Sequence, residues 1–173
     1  MAAKKRFYKS VELSTHDGGF SVQLDGRGVR SPAGSLLHLP KAALAKMIAN
    51  EWRAQSNEID PTSMPLFSLA VTVVDRVTPH RGAIIAELSA YGGNDLLCYR
   101  DDQDDLASRQ QEQWQPWLDY LAKNQGITLK VVTGIMPIHQ PDAAKFSSLI
   151  AAYDDWRLGM LHRATSLSGS LVL

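Results

Sequence analysis

The hydrophobic pattern changes its period near residue 40, and this change limits the folds that the chain can adopt. Within 6–39 apolar residues alternate with polar ones, as at Phe20, Val22 and Leu24, which is typical of strands with one buried face. From Pro40 onward apolar residues recur every three or four positions, as in helices that bury one side. The pattern predicts an α+β protein with a small antiparallel β-rich N-terminal domain and a mostly α-helical domain after it.

The predicted domain boundary is a proline-rich break. The segment from Asp60 to Pro65 contains two prolines, and proline interrupts helices and strands because it lacks an N–H group. We predict a β-rich domain with one helix over 1–60 and a helical domain over 61–173. An isolated strand is predicted near 127–133, where it could extend the N-terminal sheet as an edge strand.

The final residues, 168–173, form an apolar run without a capping residue or a polar tail. Natural helices rarely end in this way. We therefore expect the natural chain to continue beyond Leu173, so that the helical domain is truncated at its C-terminal end.

Several positions predict where helices begin, bend and end. The glycine pair at 92–93 follows a helical pattern, at the usual place for a left-handed cap. A helix is predicted from about Leu106, with a kink at Pro116 and an end at Gly126. Asp142 is expected to cap a further helix.

The sequence around Asp25-Gly26 has two interpretations. Its glycines, at positions 26 and 28, resemble a phosphate-binding loop, but such a loop requires a helix directly after it. A turn and another strand pattern follow instead, so the sequence favours a β-hairpin.

Composition excludes some classes of function. The chain has 173 residues, of which 45% are hydrophobic, with 18 basic and 18 acidic side chains and no net charge. A neutral chain is a poor candidate for nucleic-acid binding, and the basic cluster at 4–6 is typical of a solvated terminus. Because no stretch is apolar over about 18 residues and no signal peptide is evident, we expect a soluble, cytoplasmic protein without membrane insertion.

The titratable residues do not form a recognisable catalytic motif. The five histidines have no metal-ligand spacing. The single cysteine, Cys98, lies in an apolar setting beside Tyr99, which favours a buried structural thiol over a nucleophile. The acidic loop 101–105 lacks the glycine and the distal glutamate of a calcium loop, and so a helix start is favoured over a metal site. An enzyme using Cys98 or this loop stays open as the alternative.

The decapeptide from Tyr91 to Arg100 is the most unusual stretch of the chain. Its pattern predicts the end of a helix, a glycine turn and a short buried extended segment. Asp95 can accept main-chain N–H groups in the turn or pair with Arg100, and either role would fix Tyr91 and Tyr99. Because aromatic residues and arginine are frequent at binding hot spots, the candidate partner-binding residues are Tyr91, Asp95, Tyr99 and Arg100. A purely core role for them is the alternative.

Taken together, several segments resemble one family, the assembly chaperones of F1-ATP synthase that hold the α subunit before the α3β3 ring forms. The matching segments span most of the chain. They are Arg6-Phe7-Tyr8-Lys9, Gly19 to Arg27 with Ser31-Pro32, Glu51-Trp52, Ile59-Asp60-Pro61, Met64-Pro65-Leu66, Tyr91 to Arg100, Gln113-Trp114 and Ser168 to Leu173.

The resemblance implies a two-part α+β protein that is not an enzyme and has no cofactor, and the residues themselves indicate no metal site. Its implied partner is the free F1 α subunit. The family continues beyond the segment at 168–173 into an acidic helical region that contains an important glutamate, and no residue here can take that role. A generic interaction domain with another client is a further alternative. The short N-terminal segment favours a bacterial cytoplasm, or a mitochondrial matrix if the source is eukaryotic.

Overall fold

The structure is a computed structural model that describes residues 4–16 and 18–173. The chain forms two compact units, Met1–Pro79 and His80–Leu173. The predicted α+β class is confirmed, with an antiparallel sheet near the N-terminus and a mostly helical region after it. The domain boundary predicted between residues 60 and 61 falls inside the first unit, and the two-domain division at that point stays a prediction.

The first unit combines short strands with two helices. A three-stranded antiparallel sheet has the order β2-β3-β4, and a two-stranded sheet pairs β1 with β5. A π-helical turn over Val73–Val77 continues the second helix. The elements are β1 (Lys4–Lys5), β2 (Val11–His16), β3 (Gly19–Leu24), β4 (Arg27–Gly28), α1 (Ala42–Arg53), β5 (Glu58–Ile59) and α2 (Pro65–Thr72).

The hairpin predicted at Asp25-Gly26 is confirmed. Leu24 pairs with Arg27 across the turn in antiparallel register. Asp25 and Gly26 both have positive φ values, 48° and 74°, as the common two-residue hairpin turn requires. After the hairpin, two isolated bridges extend the antiparallel pairing, one between Arg30 and Leu36 and one between Phe20 and Leu39.

The core of the first unit lies between the sheet and α1. The apolar residues of α1 recur at helical spacing, and Ala45, Ile48, Ala49 and Trp52 are buried. In β3, which packs against α1, Val22 and Leu24 are buried, and so are Gly19 and Ser21. The change of period in the sequence thus corresponds to one layer of strands and one helix that share a core.

The second unit is mainly helical. Helix α3 packs against α5 and α6, and Leu88, Phe146 and Leu158 are buried. Arg81 adds an ion pair with Asp155 at 2.6 Å. The elements are α3 (Arg81–Tyr91), β6 (Tyr99–Arg100), α4 (Asp104–Gln125), β7 (Val132–Thr133), α5 (Lys145–Ala151) and α6 (Asp155–Ser168).

The prediction of an isolated strand near 127–133 is wrong in two respects. Only Val132–Thr133 is a strand, and it pairs in parallel with β6 of its own unit. Gln140 holds the preceding residues, because its amide side chain accepts from Lys130 N at 2.8 Å and donates to Lys130 O at 2.9 Å. Side-chain amides can replace a partner strand in this way, and periodicity does not reveal them.

The predicted end of α4 is confirmed, whereas two other cap predictions are wrong. Gly126 ends α4 in the left-handed region with φ 63°, and the helix runs through Pro116. Gly92 has φ −59° and is not a left-handed cap. Asp142 does not cap α5, which begins at Lys145 after Ala144. The Asp142 carboxylate instead accepts from Thr128 N at 2.9 Å.

None of the helices in the described ranges has the length and apolar character needed to cross a lipid bilayer.

Candidate functional site

The decapeptide from Tyr91 to Arg100 links three elements of the second unit. Helix α3 ends at Tyr91, and a 3₁₀ turn over Leu96–Cys98 leads directly into β6. Asp95 has extended backbone angles at the start of this turn, and its Oδ1 accepts from Leu97 N at 3.0 Å. An aspartate at this position satisfies a free N–H group of the turn. The residues that the sequence singled out therefore belong to one rigid joint.

Glycine at position 92 is required by packing. A Cβ atom added there would lie 2.2 Å from Cδ2 of Phe146, whose side chain is buried. The absence of a side chain at Gly92 thus lets the loop approach α5 closely.

The second oxygen of Asp95 binds the segment that follows α6. Its Oδ2 accepts from Leu171 N at 2.6 Å and from Val172 N at 3.3 Å. In return, Leu96 N donates to Gly169 O at 3.2 Å. One carboxylate therefore joins two segments that are 76 residues apart in the chain. We call this arrangement, formed by Asp95 with Gly169, Leu171 and Val172, the Asp95 clamp.

The end of α6 is shaped to meet the clamp. Gly169 takes the left-handed conformation with φ 73°, which glycine adopts without strain. The buried Ser170 accepts from Val172 N at 3.1 Å and from Leu173 N at 3.2 Å. In the sequence this segment and the decapeptide are separate features, and their contact is not evident. The sequence feature that belongs to this contact is Ser168-Gly169-Ser170, a turn at the end of α6.

Asp95 is completely buried. Burial raises the pKa of its carboxyl, against the lowering effect of N–H groups from Leu97, Leu171 and Val172 and of the Ser170 side chain. Of the two roles predicted for Asp95, the structure contains the acceptance of main-chain N–H groups.

Arg100 serves another part of the joint. Its guanidinium donates to Leu97 O at 2.5 Å and to Gln115 Oε1 at 3.4 Å, and it lies 5.5 Å from the centre of the Trp114 ring. Its side chain is 6% exposed. Arg100 therefore connects β6 to α4 and is held by carbonyl oxygens and an aromatic face.

The remaining two candidates are partly accessible. Tyr91 and Tyr99 are half-buried, and the Tyr99 hydroxyl donates to Asn94 Oδ1. Asp95 and Arg100 are too buried to contact a partner unless the joint opens. The partner-binding role of these four residues stays a prediction.

Cys98 lacks the environment of a nucleophile. Burial, together with the nearby Asp95 charge, raises the pKa of its thiol to about 12, whereas nucleophilic cysteines need a lowered pKa. In the acidic loop, Asp101 accepts from Gln103 N at 2.9 Å, and Asp104 and Asp105 occupy the first turn of α4. Within residues 4–16 and 18–173, no group of three or more metal-binding side chains is found.

Exposed leucines border the Asp95 clamp. Leu96, next to Asp95 in the chain, is 43% exposed, Leu167 at the end of α6 is 71% exposed, and Leu173 is 53% exposed. Leu96 lies beside Gly169, since a Cβ atom on that glycine would be 3.8 Å from the leucine side chain. The exposure of these leucines is not evident from the sequence, because a helical pattern does not indicate which apolar residues stay outside the core.

The fold and the site define an α+β protein that holds a rigid joint and presents apolar side chains around it, as interaction proteins do. A model of the ATP12 chaperone protein family matches residues 5–122. The chain belongs to this family, and the family resemblance found in the sequence is confirmed.

Individual relatives extend the match over almost the whole chain. The mitochondrial protein atp12 of Schizosaccharomyces pombe is 24% identical over 184 residues, which cover 98% of this chain and 63% of that protein. The crystal structure of Atp12 from Paracoccus denitrificans matches with a TM-score of 0.93 and 38% identity, covering 98% of this chain and 74% of that one. The Atu1473 structure from Agrobacterium tumefaciens matches with a TM-score of 0.91 and 35% identity, covering 98% and 65%. The chain therefore spans less than two thirds of the fission-yeast relative.

Proposed function

We propose that this protein is an assembly chaperone for the F1 sector of ATP synthase, and that it binds and shields the free α subunit before the α/β ring forms. The observation that carries the proposal is its match to Atp12 of Paracoccus denitrificans over 98% of the chain at 38% identity. Membership of a chaperone family supports a role in assembly. We propose the α subunit as the client because the family that the sequence resembles holds that subunit.

The surface next to the Asp95 clamp suits such a client. Leu96, Leu167 and Leu173 are exposed apolar side chains on two segments that the buried carboxylate holds together. A subunit that waits for its partner exposes an apolar interface, and a shield needs a matching apolar patch. In this proposal Asp95 and Arg100 act as positioning residues, while the leucines touch the client.

We also propose that the chain has no catalytic activity. Cys98 is buried and its pKa is raised, so its thiolate is scarce near neutral pH. The support is chemical: the one thiol lacks the activation that a cysteine enzyme requires. We expect iodoacetamide to label folded protein at pH 7 many times more slowly than urea-unfolded protein. Equal labelling rates would contradict this expectation.

The proposed location is the cytoplasm of a bacterium, or the mitochondrial matrix if the source is a eukaryote. The relatives include a mitochondrial protein from yeast and proteins from two bacteria, and the proposal rests on that distribution.

The test is co-expression with the F1 α subunit from the same source, with soluble α measured after centrifugation. We expect the chaperone to raise soluble α and to co-purify with it. The variant Leu96→Ser/Leu167→Ser/Leu173→Ser should lower the affinity by at least about tenfold, which corresponds to about 1.4 kcal/mol.

The matched control is Leu13→Ser/Met47→Ser in the first unit, whose side chains are 41% and 53% exposed. This variant should keep the affinity for α. If α is equally insoluble with and without this chain, and also with a C-terminally extended form, the proposed function is wrong. If both variants bind α equally well, the leucine surface is not the contact.

A further inference from the structure

Strand β2 forms one edge of the three-stranded sheet in the first unit. The sheet has the order β2-β3-β4, so within the described residues β2 has a neighbouring strand on one side only. The main-chain groups of an edge strand can pair with another strand, and proteins protect such edges with proline, lysine or a β-bulge. The sequence of β2, Val-Glu-Leu-Ser-Thr-His, contains neither proline nor lysine. Its pairing with β3 is regular from Val11 to His16, without a bulge.

The register with β3 determines which main-chain groups of β2 point away from the sheet. In an antiparallel pair, successive residues alternate between facing the partner strand and facing away from it. Asp25 N donates to Ser10 O at 3.2 Å, and so the even-numbered residues of β2 face β3. The N–H and C=O groups of Val11, Leu13 and Thr15 therefore point outward.

One of these three outward positions is already in use. Arg53 of α1 donates to Val11 O at 2.9 Å. No hydrogen bond within the described ranges reaches the outward groups of Leu13 and Thr15. The Leu13 side chain is 41% exposed, and Thr15 is exposed as well. Because each residue has one main-chain donor and one acceptor, this part of the edge offers two of each to a further strand.

A second copy of β2 could pair with this edge about a two-fold axis that lies on one residue of the strand. An axis on Glu12 places two carboxylates opposite each other, and like charges in that position are destabilising. An axis on Leu13 requires Val11 O of each copy as an acceptor, although Arg53 already binds it. Axes at either end of β2 pair fewer residues of the strand. These registers are therefore disfavoured.

An axis on Ser14 requires only the free groups of the edge. Leu13 of one copy then pairs with Thr15 of the second copy, and the symmetry repeats this pair. Each pair exchanges both of its main-chain N–H and C=O groups. On the other face of the strand, Glu12 lies opposite His16 of the second copy, so that a carboxylate faces an imidazole instead of another carboxylate. The edge is therefore self-complementary in this register.

We propose that two copies of this chain pair antiparallel through β2, with the two-fold axis on Ser14. The two three-stranded sheets then form one continuous sheet. The contact is small, and small interfaces are weak, so we expect a dissociation constant of roughly 0.1–1 mM. The proposal concerns the first unit and does not involve the leucines that border the Asp95 clamp.

The test is disulfide trapping in the whole chain. Cys98 is buried, so a cysteine introduced on β2 provides the accessible thiol. In the proposed register the Cα atoms of Ser14 in the two copies lie about 4.5 Å apart, within the range of roughly 4.4–6.8 Å for a disulfide. With oxidised glutathione, we expect Ser14→Cys to form a disulfide-linked dimer at least about tenfold faster than Glu12→Cys or His16→Cys does.

Glu12→Cys and His16→Cys are the matched controls, at exposed positions of the same strand. In the proposed register the two copies of residue 12 are four residues apart along the strands, or about 14 Å, which is too far for a disulfide. An equal mixture of the two variants should form a cross-linked heterodimer, because Glu12 lies opposite His16 of the second copy. Non-reducing electrophoresis and mass spectrometry identify each product.

Thr15→Pro tests the main-chain pairing. It removes an outward N–H group, and edge strands tolerate proline where the N–H faces solvent, so we expect the circular dichroism spectrum to stay unchanged. In the Ser14→Cys background it should slow dimer formation at least about tenfold, because the symmetry removes two hydrogen bonds. Thr15→Val keeps the N–H group and is the control, with an unchanged rate. If Thr15→Pro does not fold, the pattern of the three cysteine variants decides by itself.

Three results would overturn the proposal. The first is equal rates of disulfide formation at positions 12, 14 and 16. The second is an unchanged rate in folded Thr15→Pro, which would place the contact elsewhere. The third is a monomer in sedimentation equilibrium at about 1 mM, which would leave β2 to a strand of another protein. Because the α subunit is absent from these experiments, their failure leaves the proposed chaperone function intact.

Discussion

Asp25 in the first unit and Asp95 in the second perform the same structural task, but one carboxylate lies in water and the other lies in a core. The exposed Asp25 accepts from Lys9 N at 3.0 Å and from Ser10 N at 2.7 Å. The buried Asp95 accepts from Leu97 N at 3.0 Å and from Leu171 N at 2.6 Å. Each carboxylate lies in a turn and accepts main-chain N–H groups of a distant segment, and so it joins the turn to that segment.

The pKa values of the two carboxyl groups shift in opposite directions. Main-chain N–H groups from Ser10 and Lys9 lower the pKa of Asp25, because water still surrounds the charged form. Burial raises the pKa of Asp95 although it accepts the same kind of bond. The number of hydrogen bonds therefore does not decide the charge balance of a carboxylate, since desolvation can outweigh them.

The largest expected effect is that of Asp95→Ala. This variant leaves the buried N–H groups of Leu97 and Leu171 without acceptors, and we expect a loss of about 2–4 kcal/mol in the free energy of unfolding. Urea denaturation followed by circular dichroism measures it. Asp102→Ala, at an exposed aspartate of the same unit, is the control and should be nearly neutral. If Asp95→Ala and Asp102→Ala lower the free energy of unfolding equally, the Asp95 clamp does not stabilise the fold.

Gly92→Ala tests the packing that places the Asp95 loop against α5. The added Cβ atom would meet the Phe146 ring at 2.2 Å, and we expect a loss of about 1–3 kcal/mol. The control is Gly82→Ala in α3, where nothing lies within 4 Å of the added atom and a gain of up to about 1 kcal/mol is expected. If Gly92→Ala is as stable as Gly82→Ala in urea denaturation, the close approach is not required.

Asp25→Ala should destabilise the protein less than Asp95→Ala does. The N–H groups of Lys9 and Ser10 are exposed and can bind water when the carboxylate is removed. Thermal unfolding of both variants under one set of conditions measures the difference. A larger decrease in Tm for Asp25→Ala would reverse the comparison between the two units.

The smallest expected effect is a difference in pH dependence between Asp25→Asn and Asp95→Asn. The lowered pKa of Asp25 stabilises the fold above the unfolded value of about 3.9, and this contribution is lost as the pH falls through the folded value. The raised pKa of Asp95 contributes stability below about 3.9, and that contribution is lost as the pH rises through the folded value.

Urea denaturation between pH 3 and pH 7 therefore separates the two carboxylates. The advantage of the unmodified chain over Asp25→Asn should shrink in acid, and its advantage over Asp95→Asn should grow. If the free energy of unfolding of the two variants depends on pH in the same way, burial does not determine the direction of the pKa shift at Asp95.

Local features made much of the fold predictable from the sequence. The alternation at Phe20, Val22 and Leu24 identified the sheet, and the Asp25-Gly26 turn identified its hairpin, because both depend on residues that are neighbours in the chain. The sequence predicted an extended segment at β6 and a strand near β7, but it did not reveal that the two pair with each other, since two residues carry no periodicity that would set a register.

The candidate site was predictable only in part. The sequence brought Tyr91, Asp95, Tyr99 and Arg100 together because they share one decapeptide. It did not reveal that Arg100 binds Leu97 O and the α4 glutamine side chains rather than Asp95. Both arrangements are compatible with the same local sequence, and the position of α4 decides between them.

The sequence by itself determined the order of the β and α parts, the hairpin at Asp25 and the left-handed end of α4 at Gly126. Each of these follows from the hydrophobic period or from the freedom of glycine at positive φ. Only the tertiary structure decided that Asp95 is buried and that Gly92 serves close packing. The physical reason is distance along the chain, because the donors of Leu171 and Val172 and the ring of Phe146 reach this loop only after the helices have packed.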